Sequence, residues 1–171
     1  MGTGLITLRR ARPADAPGIS QVHDETWMYA YQGIIPHLSL MRLLSKRGER
    51  YWHEAITRGG TILVLSCDGQ IAGYVTLGPS RLRGTPYGGE IYELYVAPGY
   101  HGAGFGRRLF AAARRSLEEA GLRGLLVWAL ADNDAACAFY RHLGGRPISE
   151  GVETYEEKAL RKIAFAWPPN R

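Results

Sequence analysis

The most constraining feature of this chain is a glycine-rich turn that joins an apolar, strand-like segment to a helical pattern. Residues 91–96 form the apolar run, residues 98–99 end it, and Gly102, Gly104 and Gly106 then alternate with other residues. Glycine allows a tight turn and leaves N–H groups bare, and the first helical turn adds unpaired donors at the positive end of its dipole. This arrangement is typical of a site for phosphate oxygens, although an ordinary strand-to-helix turn has the same pattern.

The composition is that of a globular protein, and its charge does not favour any highly charged partner. Of 171 residues, 46% are hydrophobic and 22% are charged, close to the globular average. The formal net charge is +5, but the arginines are scattered along the chain. We therefore expect no nucleic-acid partner.

Features of export, membrane insertion and metal binding are missing from the sequence. No stretch approaches the ~20 apolar residues that span a bilayer, and the first five residues lack the pattern of a secretory signal. Cys67 and Cys137 do not have metal-ligand spacing. We expect a cytoplasmic protein with no membrane partner and no metal.

The order of the predicted elements is β-α-α-β-β-β-α-β-α-β-β. Asp68-Gly69 lies between two apolar runs and predicts a tight hairpin. A continuous helix is predicted over about 39–56, with Gly48 as its weak point, and final strands are predicted near 146–151 and 160–167. Strands and helices in this order indicate a mixed sheet with helices on its faces.

Several short motifs follow one another in a fixed order and point to a family. They are Val96-Ala97-Pro98, the glycine run, Asn133-Asp134-Ala135-Ala136, Phe139-Tyr140 and Leu143-Gly144-Gly145. In these motifs the chain resembles the GNAT N-acetyltransferases, which use acetyl-coenzyme A. The segment 27–36 also resembles a bacterial GNAT subgroup with many uncharacterised members, in which it forms one wall of the acceptor cleft.

The resemblance implies an α/β (α+β) protein with the GNAT fold. We expect a central mixed, mostly antiparallel sheet of six to seven strands, flanked by about four helices. The expected organisation is a single acetyltransferase domain over residues 1–171, of which about 5–167 match the family. Two positions depart from the family: His101 stands where glutamine or arginine is usual, and Gly145 where an aromatic residue is common.

The resemblance also implies which residues bind the cofactor, acetyl-CoA. The glycine run would hold the pyrophosphate, the backbone of 94–96 would hold the pantetheine arm and polarise the thioester carbonyl, and Asn133 would bind pantetheine amides or only cap a helix. The predicted cofactor-binding residues are Leu94, Tyr95, Val96, His101, Gly102, Ala103, Gly104, Phe105, Gly106, Arg107, Asn133, Ala136, Phe139 and Tyr140.

Acetyl transfer to an amine requires a base, because an alkylammonium has no lone pair and only about 0.1% of an amine of pKa near 10 is neutral at pH 7. Glu93 is the candidate: it is a carboxylate within an apolar strand, on the same face as Tyr95. An ion pair with an arginine is the alternative role for Glu93. Glu25, His101 or a water molecule are alternative bases.

The departing thiolate requires a proton, and Tyr140 matches the tyrosine that many family members use as the general acid. Its alternative role is aromatic packing beneath the coenzyme. On the acceptor side, Trp27 and Tyr31 lie four residues apart on one helical face and, with Tyr95, are the predicted substrate-binding residues. Trp27 and Tyr31 would line a pocket or belong to the core.

The sequence therefore predicts an N-acetyltransferase that moves an acetyl group from acetyl-CoA directly to a primary amine, either a small molecule or a peptide amine. The alternative is a non-catalytic acyl-CoA-binding sensor or docking module. The loop 81–87 and the segment 152–158 are expected to border the acceptor opening. A homodimer is a further expectation, based on an apolar sheet edge at residues 163–167.

Overall fold

A computed structural model describes residues 4–169, so the outermost residues of the predicted domain, 1–3 and 170–171, lie outside the described residues. The seven strands are β1 Ile6–Arg10, β2 Thr61–Cys67, β3 Gln70–Pro79, β4 Gly89–Val96, β5 Leu125–Leu130, β6 Arg146–Tyr155 and β7 Lys158–Trp167. The five α-helices are α1 Ala16–Tyr31, α2 His37–Ser45, α3 Glu49–Thr57, α4 Phe105–Glu119 and α5 Asp134–His142. Short 3-10 turns cover Pro13–Asp15 and Pro98–Tyr100.

All seven strands form one sheet in the order β1-β2-β3-β4-β5-β7-β6. Every pairing is antiparallel except that of β4 with β5, because α4 returns the chain across the sheet between them. The expected mixed, mostly antiparallel sheet is confirmed. The predicted hairpin is also confirmed: Asp68 and Gly69 have φ of 51° and 83°, as a two-residue turn with left-handed central residues requires.

The helices cover the two faces of the sheet. Helix α4 packs Leu109, Ala113 and Leu117 against one face, where α5 contributes Cys137 and Tyr140 to the same core. On the other face, α1 and α3 bury a second cluster that includes Ile19 and Trp52. Burial of these apolar side chains fixes both layers against the sheet.

Two expectations about the elements are wrong. The helix predicted over 39–56 is two helices, because residues 46–48 turn the chain and Gly48 is extended, with φ −73° and ψ −175°. The apolar edge predicted at 163–167 is not an edge, because β7 lies between β5 and β6. The homodimer expectation therefore loses the observation on which it was based.

Candidate active site

The centre of the site is a gap between β4 and β5. The two parallel strands pair only from Gly89–Ile91 against residues 125–127, and β4 then continues to Val96 without β5 beside it. Residues 92–96 therefore present backbone groups to the gap rather than to a neighbouring parallel strand.

Two cavities meet at this gap. The first, of about 660 Å³, is the loop cavity, lined by residues 92–96, by residues 100–102 and 104–107 of the glycine loop, and by α5. The second, of about 890 Å³, is the aromatic cavity, lined among others by Trp27, Tyr51, Trp52, Tyr95 and Tyr155. Six residues line both cavities: Tyr31, Tyr92, Glu93, Tyr95, Trp128 and Ala129.

The glycine loop presents a run of unpaired backbone donors. Gly102 and Gly104 have φ of 82° and 79°, a left-handed conformation that only glycine adopts without strain. Among residues 4–169, no protein group accepts a hydrogen bond from the backbone N–H groups of residues 102–107, whereas the Arg108 N–H donates to the Gly104 carbonyl. Six free donors at the amino terminus of a 15-residue helix form a cradle for an anion.

His101 holds this loop to the end of β4. Its Nε2–H donates to the Val96 carbonyl oxygen over 2.7 Å, and Tyr29 packs edge-on to the ring with 5.5 Å between centroids. The contact fixes the turn between strand and loop. As an alternative base, His101 thus has one ring nitrogen engaged in a structural hydrogen bond.

Helix α5 forms the opposite wall of the loop cavity. The Asn133 side chain caps α5 by accepting from the Ala136 N–H over 3.1 Å, so its capping role is present. A Cβ at Gly106 would lie 3.3 Å from the Phe139 ring, and glycine therefore lets α4 and α5 approach closely. At Gly145, the second departure from the family, a Cβ would lie 2.5 Å from the Trp167 ring, so Trp167 takes up that space.

The Tyr140 ring packs among aromatic side chains of the core and lines the loop cavity. Its nearest ring neighbours are Phe139, Phe165 and Trp167, at centroid distances of 5.2, 5.9 and 6.1 Å. Burial raises the pKa of Tyr140 well above its ordinary value, and the nearby Tyr31 adds to the effect. A tyrosine phenol is already protonated at neutral pH at its ordinary pKa, and burial makes the Tyr140 phenol a weaker acid.

Glu93 and Tyr95 project from β4 to the other face of the sheet, as the alternation predicts. The Glu93 carboxylate accepts from the Tyr74 hydroxyl over 2.9 Å and from Arg47 Nη1 over 2.7 Å. Glu93 thus has the ion pair that was its alternative role, and it also lines both cavities. The expected core residues on the opposite side of the strand, Leu94 and Val96, are half-buried because they line the loop cavity.

The Trp27–Tyr31 pair belongs to both a pocket and a core. The two rings meet edge to face at 5.0 Å, and the Tyr31 hydroxyl lies 3.3 Å from that of Tyr95. Both residues line the aromatic cavity and pack within a hydrophobic cluster. Glu25, by contrast, is exposed on α1 and accepts a hydrogen bond from Gln21, away from the linings of both cavities.

The other predicted cofactor-binding residues lie around one cavity, with one exception. Every predicted cofactor-binding residue lines the loop cavity except Ala103, which is exposed and is not part of the lining. The loop and segment expected at the acceptor opening contribute Arg81, Leu82, Glu153 and Tyr155 to the aromatic cavity.

Two residues that interact electrostatically with Glu93 were not found from the sequence. Arg47 reaches Glu93 from the turn between α2 and α3, and nothing in its local pattern distinguishes it from the neighbouring arginines. His23 is 1% exposed and lies between Trp27 and Trp52, with centroids at 4.9 and 5.8 Å. Desolvation lowers the pKa of His23 to about 4, with Glu93 acting in the opposite direction, so the ring is neutral at pH 7.

Within residues 4–169, none of the helices is long and apolar enough to cross a bilayer. The same residues contain no cluster of three or more His, Cys, Asp or Glu side chains able to hold a metal ion.

An anion cradle that opens through a gap between parallel strands onto a second cavity is the arrangement of a transferase, with a phosphorylated donor on one side and an acceptor on the other. The model of the acetyltransferase (GNAT) family matches residues 21–144, and the chain belongs to this family. It is 27% identical over 164 residues to the uncharacterized N-acetyltransferase YuaI of Bacillus subtilis (strain 168), covering 96% of this chain and 94% of that protein. The predicted family and class of enzyme are confirmed.

Solved structures confirm the fold. The PaiA N-acetyltransferase from Thermoplasma acidophilum, in complex with coenzyme A, matches with a TM-score of 0.75 at 18% identity, over 92% of this chain and 98% of that chain. YncA, a putative acetyltransferase from Salmonella typhimurium with its cofactor acetyl-CoA, matches with a TM-score of 0.67 at 18% identity, over 95% and 93%.

Proposed function

We propose that this protein transfers an acetyl group from acetyl-CoA directly to the nitrogen of a primary amine. The observation that carries the proposal is the row of six free N–H groups at residues 102–107, which opens onto the gap between β4 and β5. Solved relatives hold coenzyme A or acetyl-CoA, which supports the same co-substrate here. The donor set fits a diphosphate, because successive backbone N–H groups and a helix amino terminus both favour negative charge.

Different residues of the loop cavity would bind different parts of the co-substrate. The N–H groups of 102–107 hold the pyrophosphate, while the exposed Arg107 at the cavity rim adds a charge-assisted contact. The unpaired edge of β4 at 94–96 lies along the gap and holds the pantetheine arm. When bound, acetyl-CoA supplies an acetyl group activated as a thioester.

Glu93 and the β4 backbone would act at the junction of the cavities. Glu93 takes a proton from the acceptor ammonium, directly or through water, which leaves a lone pair for attack on the acetyl carbonyl carbon. A backbone N–H of residues 94–96 stabilises the negative charge that develops on the carbonyl oxygen. The N–C bond forms as the C–S bond breaks.

Tyr140 would complete the transfer. Its phenol, which is protonated at neutral pH, donates a proton to the departing thiolate sulfur. Glu93 passes its proton to solvent, and the second proton lost by the amine nitrogen restores the Tyr140 phenol, so the overall change is one amide formed, one thiol released and one proton given to solvent. Cys137 takes no part, because it lies buried with its thiol directed to the Leu130 carbonyl, which leaves no acyl-enzyme step in the proposal.

Two measurements test this function together. Titration calorimetry of the purified protein is expected to show binding of acetyl-CoA and of CoA, and a thiol-release assay against a panel of primary amines is expected to show turnover. Binding without turnover by any amine would favour the non-catalytic module, and absence of both binding and turnover would contradict the proposal.

A further inference from the structure

The wall of the aromatic cavity carries a cation and an anion in contact. Arg47 Nη1 lies 2.7 Å from Glu93 Oε1, and their side chains are 32% and 12% exposed. Both side chains line the cavity, and Glu93 also lines the loop cavity. The pair is therefore placed where an acceptor nitrogen would have to lie to reach a thioester in the gap.

The two charges are held in position by different contacts. The guanidinium of Arg47 lies over the Tyr51 ring at 4.5 Å, and the Tyr74 hydroxyl fixes the other oxygen of Glu93. Among the described residues, Glu93 is the acceptor for the Arg47 side chain, and it uses one of the five N–H groups of the guanidinium. The remaining donors are available to a second carboxylate.

The other charges on the cavity wall give a positive balance. Arg81 is paired with the buried Glu90, and Lys162 with Glu153. Lys46 also lines the cavity and forms no ion pair within the part of the chain that the structure describes. A polycationic amine would meet like charges there, whereas an amine that carries its own carboxylate would not.

The rest of the lining is aromatic. Trp27, Tyr51, Trp52, Tyr95 and Tyr155 contribute large ring surfaces to this cavity. Such surfaces favour an apolar or aromatic body next to a charged head group.

We infer that the acceptor is a zwitterionic amine of the α-amino-acid type with an apolar or aromatic side chain, which rests on the acetyl transfer proposed above. The acceptor carboxylate binds Arg47, and its ammonium binds Glu93. The exchange separates the resting ion pair: Glu93 passes from the guanidinium to the ammonium whose proton it removes. Arg47 is thus a specificity residue for the carboxylate.

The test compares acceptors that differ only in the carboxylate. Phenylalanine, phenylalaninamide and phenethylamine are assayed by thiol release with wild type, Arg47→Lys and Arg47→Met. Wild type is expected to have a kcat/KM for phenylalanine at least about tenfold above the other two, the order of effect of one charge-assisted hydrogen bond. Because the amide has the less basic amine, amine ionisation alone would favour the amide.

The variants locate the preference at Arg47. Arg47→Met is expected to raise KM for phenylalanine about tenfold and to bring its kcat/KM to that of phenethylamine, while Arg47→Lys retains part of the preference. Arg50→Met, at an arginine whose side chain is 92% exposed on α3, is the matched control and leaves the three values unchanged. Equal or better use of phenethylamine by wild type, or a proportional loss for all three in Arg47→Met, overturns the inference.

Binding measurements separate this inference from the proposed function. Calorimetry of the CoA-saturated protein with phenylalanine and phenethylamine measures acceptor recognition without turnover. Arg47-dependent binding of phenylalanine in a protein that acetylates no amine would contradict acetyl transfer, while recognition of a zwitterion at Arg47 would stand. Turnover of amines without a carboxylate preference, or no binding and no turnover of phenylalanine, would overturn the acceptor class.

Discussion

The loop cavity and the aromatic cavity are built in opposite ways. The loop cavity is mainly a backbone site, formed by a continuous turn whose N–H groups at 102–107 have no protein acceptor among residues 4–169. The aromatic cavity is a side-chain site, assembled from α1, α2, α3 and the turn between α2 and α3, together with strands β2 to β7. A site made of backbone N–H groups recognises the shape and charge of a cofactor whatever the side chains are. A site made of side chains can be altered by substitution to fit a different acceptor.

Glu93→Gln is expected to give the largest difference between an effect on turnover and an effect on CoA binding. An amide cannot take the ammonium proton, so kcat should fall about a thousandfold, within the range of general base catalysis. The Kd for CoA should stay within about twofold of wild type, because the cradle is unchanged. Stopped-time thiol release and calorimetry measure the two values, with Glu25→Gln as a control expected to behave as wild type. Equal losses of CoA binding and turnover would contradict the separation.

Tyr140→Phe tests the role of the phenol in acetyl transfer, and its expected effect on kcat is smaller. Loss of the hydroxyl removes the proton donor but leaves the ring packed against Phe139. A thiolate can still leave without being protonated, although more slowly. We therefore expect kcat to fall about a hundredfold, the lower end for acid–base catalysis. A solvent-accessible tyrosine changed in the same way, Tyr29→Phe, is the control for loss of a hydroxyl. Unchanged kcat in Tyr140→Phe would assign this residue to packing alone.

His23 should make the aromatic side of the molecule sensitive to acid. Its pKa of about 4 in the folded protein is below the value of about 6.5 expected in the unfolded chain, so the neutral ring stabilises the fold at pH 7. This contribution is complete above about pH 6.5 and is lost as pH falls towards 4, amounting to about 2 kcal/mol between pH 7.5 and 5.

Urea unfolding at pH 7.5 and at pH 5 measures the contribution of His23 to the free energy of unfolding. In His23→Phe the change in unfolding free energy between pH 7.5 and 5 should be smaller than in wild type by about 2 kcal/mol. Comparing each protein with itself cancels any packing defect, and His53→Phe, at an exposed position of α3, is the matched control. The same pH dependence in wild type and His23→Phe would show that the ring does not carry the effect.

The smallest expected effect is on the loop side. Gly104→Ala places a Cβ on a residue with φ 79°, although no atom lies within 4 Å of that Cβ, so the cost is conformational. A strain of about 1 kcal/mol predicts a CoA Kd raised about fivefold, with the KM of the acceptor unchanged. Gly99→Ala, at a neighbouring glycine with open space and no left-handed φ, should bind CoA as wild type does. A larger effect at Gly99 than at Gly104 would contradict the account of the loop.

The features that the sequence predicts well are those formed by neighbouring residues, as in the loop cavity, and not those assembled from distant ones, as in the aromatic cavity. The glycine loop, the Asn133 cap and the hairpin at Asp68-Gly69 depend on neighbouring residues, and a local pattern therefore predicts them. The Arg47–Glu93 pair joins residues 46 positions apart, and its partner at Tyr74 comes from β3, so only the folded sheet brings them together. The edge expected at 163–167 failed for the same reason, because strand order is a property of the whole sheet.

The most direct test of the central claim observes the amides themselves. Two-dimensional nitrogen–proton spectra of the labelled protein are recorded while CoA is added to saturation. The amide signals of residues 102–107 are expected to shift more than those of the edge strand β1, whose residues line neither cavity. Saturation of binding with the 102–107 signals unmoved would contradict the proposal that these N–H groups hold the pyrophosphate.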